Sequence, residues 1–197
     1  MNKNAIKNFA VSARIMLIQA VTQKAFEYEV TENGKNDPSQ AAVNGQSLTS
    51  AEQSQRAQLI AQIQTKGFAS TMEEAAYTWF NRFIALRFME VNNYLPSHTR
   101  IFSDEDGNFK PEVLTDAVNL KIDGLDKGLV LELLEQQKNE QLYQYIIITQ
   151  CNALNEGLPE MFERIGGWTE LLFPKNLLRE DSFSAHMVKD IPESDWN

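Results

Sequence analysis

Residues 70–96, STMEEAAYTWFNRFIALRFMEVNNYLP, limit the folds open to this chain more than any other stretch. Ser70 with Glu73, and Thr71 with Glu74, have the S/T-x-x-E spacing of a capping box, which satisfies two free amides where a helix begins. Asn92, Asn93 and Pro96 supply stop signals at the other end. At about 100° per residue, one broad arc gathers Met72, Ala76, Trp79, Phe80, Phe83, Ile84, Leu86, Phe88 and Val91. The narrower opposite arc holds Glu74, Thr78, Asn81, Arg82 and Ala85. A helix apolar over most of its circumference needs partners on several sides. Trp79, Phe80, Phe83 and Phe88 can each bury on the order of 150–250 Å². The pattern predicts an all-α fold, an irregular multi-helix bundle around a central aromatic-rich helix at about 71–92.

Arg87 and Glu90 break this pattern, for both fall on or near the apolar arc. They are three residues apart, so their side chains can meet on one face. Two readings stand: a contact to a partner or to nucleic-acid phosphate, and a buried ion pair completed by loop carbonyls. The ion pair is preferred, because a buried charge is costly unless it is paired.

The 197 residues suit one domain, and 43% hydrophobic content is enough for a core. A net charge of −9 disfavours unaided nucleic-acid binding, since phosphate contacts come from Lys and Arg. Cys151 is the one cysteine, so an internal disulfide and a Cys-rich metal site are both excluded. It lies in an apolar segment and reads as core filling. No apolar run approaches the roughly 18 residues needed to span a bilayer, and the N-terminus lacks the pattern of a signal peptide. The expected compartment is the cytoplasm, with no membrane contact.

The opening residues 3–28 read as an amphipathic helix. Ile6, Phe9, Ala13, Met16, Leu17 and Ala20 share one face, while Val11, Ile15 and Ile18 form a second patch, so the helix is expected to touch two surfaces. Lys3, Lys7 and Arg14 fall within an arc of about 40° and form the basic stripe of the chain. It reads either as a solvated face or as a contact to DNA backbone or an acidic partner. Residues 31–49 are rich in Asn, Gly, Ser and Gln and read as an exposed loop, with Asn33-Gly34 and Asn44-Gly45 as turn dipeptides. Ser50 with Gln53 opens a second helix that Gly67 stops, and its sparse apolar side places it at the surface.

Further on, Asp104-Glu105-Asp106-Gly107 lacks the alternating spacing of a calcium loop and reads as an acidic turn. Pro111 and Glu112 start a short helix, and residues 126–137 form another. Residues 140–155 are apolar nearly all round; three β-branched isoleucines keep a strand in view, but the length favours a buried helix. Gly166-Gly167 break the chain before a short helix from Trp168 to Phe173. Residues 191–196, IPESDW, look like the opening of a helix that does not continue, as in a fragment of a longer protein. No phosphate-cradling glycine loop, HExxH or nucleophile motif is present, and His98 and His186 have no local partners. Neither a catalytic, a cofactor-binding nor a metal-ligating residue is expected.

The block from Tyr77 to Val91, followed by Asn92-Asn93-Tyr94-Leu95-Pro96, resembles the N-terminal region of the BREX phage-defence adenine-specific DNA methyltransferases of the PglX type. The opening residues 1–10, the segment around Gly166-Gly167-Trp168 and the closing Ile191-Pro192-Glu193 with Asp195-Trp196 are similar too. The resemblance runs along nearly the whole chain but covers only the first part of the family. It implies a longer enzyme that transfers a methyl group from S-adenosylmethionine to adenine N6 and so marks host DNA as self. The Gly-rich cofactor loop and Asn-Pro-Pro-Tyr motif of that family are absent from this sequence, so no catalytic or cofactor residue carries over. What carries over is a location: residues 1–197 as a single helical N-terminal domain that contacts the remainder of the methyltransferase chain, other BREX proteins, and DNA through the full-length protein. The rival expectation is a free-standing helical adaptor that binds a protein partner.

Overall fold

A computed structural model describes residues 3–196, with side chains from residue 4 onward. Among the described residues there are eight α-helices, two short 3-10 turns and one two-stranded ribbon, so the fold is all-α as the sequence predicts. The chain gathers into two compact units: Met1–Ala13 with Asn81–Arg164 and Asn176–Asn197, and Arg14–Phe80 with Ile165–Lys175. Two long helices, α1 (Lys3–Glu27) and α3 (Phe68–Val91), contribute residues to both.

The unit around residues 14–80 is built first in sequence. Helix α1 turns Leu17, Val21 and Ala25 inward. Next comes the ribbon, β1 (Ala42–Val43) antiparallel to β2 (Gln46–Ser47), with Val43 paired to Gln46. Its two-residue turn is Asn44-Gly45, both at positive φ, the combination that matches strand twist in a tight hairpin. The segment 31–49 therefore contains ordered structure where the sequence reads as a plain loop; the glycine- and asparagine-rich composition encodes turns. Helix α2 (Ser50–Lys66) starts one residue off the expected box: Thr49 is its cap, paired reciprocally with Glu52. Gly67 ends it at φ 84°, a left-handed conformation that favours glycine, and donates its N–H to the Ile63 carbonyl.

Helix α3 begins at once after that glycine. Ser70 and Thr71 thus lie inside its first turn, not at its cap, and the Thr71 hydroxyl donates to the Gly67 carbonyl at 2.8 Å. A one-residue break makes both expected capping boxes superfluous. The far end stops as expected: Asn93 adopts φ 57°, and the Tyr94 N–H reaches back to the Met89 carbonyl. In the residue 14–80 unit, Trp79 is fully buried, donates Nε1–H to the Thr169 carbonyl at 3.0 Å and meets Phe173 edge-on at 4.8 Å. Thr169 belongs to helix α7 (Trp168–Leu171), which packs on α2.

The other unit surrounds the second half of α3. Phe83 is fully buried against Phe102 and Phe183, and Phe9 meets Phe183 at a tilt, ring centroids 5.4 Å apart. Helices α4 (Glu112–Thr115), α5 (Lys127–Glu135) and α6 (Asn139–Asn155) follow, α6 packing on both others. The isoleucines of α6 are helical, which removes the strand alternative; Ile146 and Ile147 are buried, as is Cys151. Burial pushes the Cys151 thiol up to about 12, so it stays protonated and inert. Helix α8 (Phe183–Asp190) is capped by Ser182, and the last described residues form a 3-10 turn with Trp196 fully buried.

Candidate functional site

Sequence singles out Arg87 and Glu90, and the fold gives them a shared surrounding. Both side chains are fully buried and form an ion pair. The C-terminal end of α3 carries them, three residues apart on one face. Arg87 Nη1 also donates to Ser103 Oγ at 2.8 Å, and Ser103 Oγ donates to Glu90 Oε1 at 3.0 Å. The other oxygen of Glu90 accepts the backbone N–H groups of Ile101 and Phe102. Arg87 Nη2 donates to Glu193 Oε1 at 3.2 Å, and Arg100 Nη1 donates to the same oxygen at 2.5 Å. One cluster thus joins the end of α3, the loop after it and the segment near residue 193.

The two carboxylates of this cluster respond in opposite directions. Burial raises Glu90 above the usual range, against the pull of Arg87 and of the donated N–H groups. Burial opposes ionisation of Glu193 as well, but the hydrogen bond and charge of Arg100 outweigh it, so Glu193 is held low. Both oxygens of Glu90 are occupied by donors. A carboxylate so held fixes neighbouring chain and has no free lone pair directed at a substrate. The arrangement is therefore a structural clasp.

Three further guanidinium or carboxylate groups escape sequence reasoning. Arg56 belongs to a helix read as superficial, yet it is fully buried; Nε donates to the Tyr28 carbonyl, Nη1 to the Asp37 carbonyl and Nη2 to Gln40 Oε1. Arg82 falls on the predicted polar arc but is buried, its Nη2 donating to the Glu163 carbonyl at 3.0 Å. Glu52 stands four residues before Arg56, the spacing of a surface helix pair, and no acid lies within four residues of Arg82; the acceptors described above are instead main-chain carbonyls and an amide. Glu193 lies far from Arg87 in sequence, and no spacing rule could pair them. A shallow cleft of about 180 Å³ beside the clasp is lined by Asn93, His98, Arg100, Glu105 and Glu112. Its Glu112 already accepts the Arg100 N–H. The two histidines are not without local partners, as the sequence reading has them: His98 Nδ1 lies 3.0 Å from Asn93 Oδ1, and His186 Nδ1 lies 3.0 Å from Asp190 Oδ2 one helical turn on.

The basic stripe of α1 is only partly available. Lys3 lies outside the residues whose side chains are described. Lys7 is exposed, while Arg14 forms an ion pair with Glu73 at 2.7 Å. Asp104 turns its carboxylate onto the N–H groups of Asp106 and Asn108, a local turn and not a cation loop. Among the described residues no group of three or more His, Cys, Asp or Glu is placed to hold a metal ion. No helix among them is long and apolar enough to cross a membrane.

The chain matches no family model. It is 34% identical over 217 aligned positions to an adenine-specific methyltransferase PglX of Lacticaseibacillus casei strain Zhang, covering 97% of the chain. It is equally 34% identical over 209 positions to an adenine-specific methyltransferase BrxX of Escherichia coli O9:H4 strain HS, covering all of it. The match spans only 17% of the length of either relative. S-adenosylmethionine, which such a relationship implies, does not fit the residues present. A Gly-rich cofactor loop needs a strand feeding a helix, and the strands among the described residues are two residues long and pair only with each other. Along its own length the chain is thus related to one part of the PglX and BrxX adenine-specific methyltransferases, the family that the Tyr77–Pro96 block resembles.

Proposed function

We propose that residues 1–197 act together as the N-terminal helical scaffold and interaction domain of an adenine-N6 DNA methyltransferase in a BREX phage-defence system. In this reading the whole enzyme uses S-adenosylmethionine to mark host DNA as self in the cytoplasm, and this part carries none of the chemistry. Its role is to hold the remainder of the chain, and through it other BREX proteins and DNA. The observation that carries the reading is the pairing of full coverage of this chain with 17% coverage of its relatives. A similarity that is end to end for the chain and partial for the relative is what a domain of a longer enzyme produces. The saturated hydrogen bonds of Glu90 and the high thiol of Cys151 support the non-catalytic role, since neither group is free to act.

Direct contact with DNA from α1 rests on Lys7 together with Lys3, because Arg14 is engaged by Glu73. Reversing the Lys7 charge should weaken DNA binding by the long enzyme and lower its salt dependence by about one phosphate contact. Two measurements test the larger reading. Titration of the 197-residue chain with S-adenosylmethionine is expected to give no heat, and micromolar binding would contradict a non-catalytic part. A long enzyme lacking residues 1–197 is expected to lose adenine methylation of its DNA site; full activity would remove the scaffold role. The adaptor alternative is separated by the reading frame, which under this proposal continues past Asn197 into methyltransferase motifs.

A further inference from the structure

The first helix has two apolar faces; one is buried and the other is only partly covered. Phe9, Ala13, Leu17, Val21 and Ala25 are buried. Ile15 and Phe26 are 56% and 50% exposed, and at about 100° per residue they lie about 20° apart around the helix; Ile18 and Thr22, both half-buried, lie between them along the axis and about 60° and 20° to one side of Ile15. Phe26 is stacked on Phe68 of α3, rings 6.1 Å apart and nearly parallel, which widens the strip with a second ring. The segment between Arg14 and Lys24, IMLIQAVTQ, contains no charge. The cations that bracket it are paired: Arg14 with Glu73 at 2.7 Å, and Lys24 with Glu27 at 3.5 Å, a carboxylate that Lys175 also reaches at 2.5 Å.

We propose that this strip, Ile15–Ile18–Thr22–Phe26 with Phe68, is the docking surface for the methyltransferase portion of a longer polypeptide that carries these residues. The inference rests on the scaffold reading above. Its charge pattern selects the class of occupant. Nucleic acid and anionic lipid need free cations, and here both bracketing cations are paired. An uncharged strip with an aromatic pair at one end fits the apolar centre of a protein interface. The relatives supply the source, since 83% of their length lies outside the match and must be accommodated somewhere on or beside this part.

Hydroxyl-radical labelling tests it directly. The probe is the full-length polypeptide encoded by the frame that carries this sequence, compared with the 197-residue chain. Labelling of Ile15 and Phe26 is expected to fall several-fold in the long chain, with Tyr94 and Val118 unchanged. Protection at Tyr94 or Val118 with none at Ile15 and Phe26 would overturn this inference and leave the scaffold reading standing. No protection anywhere would overturn both, as would a stop codon directly after Asn197. The double variant Ile15→Asp, Phe26→Asp is expected to keep the helical content of the 197-residue chain, because each side chain is at least half exposed and neither belongs to the buried face of the helix. In the long chain it should restore labelling of Phe68 to the level of the short one; continued protection of Phe68 would overturn the proposal.

Discussion

Two fully buried arginines, one in each compact unit, are held in different ways. Arg87 faces two carboxylates, Glu90 and Glu193, and the cluster also takes in Ser103 and Arg100. Arg56 faces no carboxylate within hydrogen-bonding reach; it is held by the carbonyls of Tyr28 and Asp37 and by the Gln40 amide. Burial lowers the Arg56 guanidinium, with the charges of Glu29 and Asp37 opposing the shift. The difference reflects what each arginine organises. Arg87 fastens segments remote in sequence, where charge on both sides offsets the desolvation of each group. Arg56 gathers the turn-rich segment 28–40, where main-chain carbonyls are the acceptors at hand. A clasp of the first kind depends on keeping its charges matched. A clasp of the second kind depends on the loop keeping its shape.

The largest effect is expected from unbalancing the ion pair. Glu90→Ala leaves Arg87 buried beside a vacancy and frees the N–H groups of Ile101 and Phe102. It should cost about 3–5 kcal/mol in urea unfolding. The double replacement Arg87→Met, Glu90→Leu should cost clearly less than Glu90→Ala alone, because no charge is then stranded. An equal or greater loss in the double variant would mean that the pair itself, and not its balance, stabilises the unit. Arg56→Met comes next. It strands carbonyls but no charge, so roughly 1–3 kcal/mol is expected, with faster amide exchange confined to residues 28–40. Faster exchange reaching α6 would blur the distinction between the two clasps.

Glu193 sharpens the comparison through pH. Its carboxyl is held low in the folded chain, so its stabilising contribution is complete above the ordinary carboxylate pKa and is lost as pH falls through the folded value. Glu193→Gln should therefore flatten the fall of the thermal midpoint below about pH 4.3 while lowering the neutral-pH midpoint modestly. Glu90 has the opposite sign, raised by burial, so its contribution grows as pH falls and cannot account for acid loss. The smallest effect belongs to the surface: Arg14→Ala removes an exposed pair with Glu73 and should change stability by no more than about 0.5–1 kcal/mol.

The sequence by itself determined the helical class, the central aromatic helix and most element ends, because those follow from periodicity and from turn residues acting within a few positions. Trp79 and Phe83 are buried where the apolar arc places them, Asn93 ends α3, and Gly67 separates two helices. Local spacing also brought Arg87 and Glu90 onto one face. Only the tertiary structure decided that Ser70 and Thr71 would not cap, that Arg56 and Arg82 would be buried, and that Glu193 would join the Arg87 clasp. Those outcomes depend on partners distant in sequence, many of them main-chain carbonyls, which every residue type possesses. A carbonyl leaves no mark in a sequence, and an arginine that will be buried against one reads like an arginine that will be solvated.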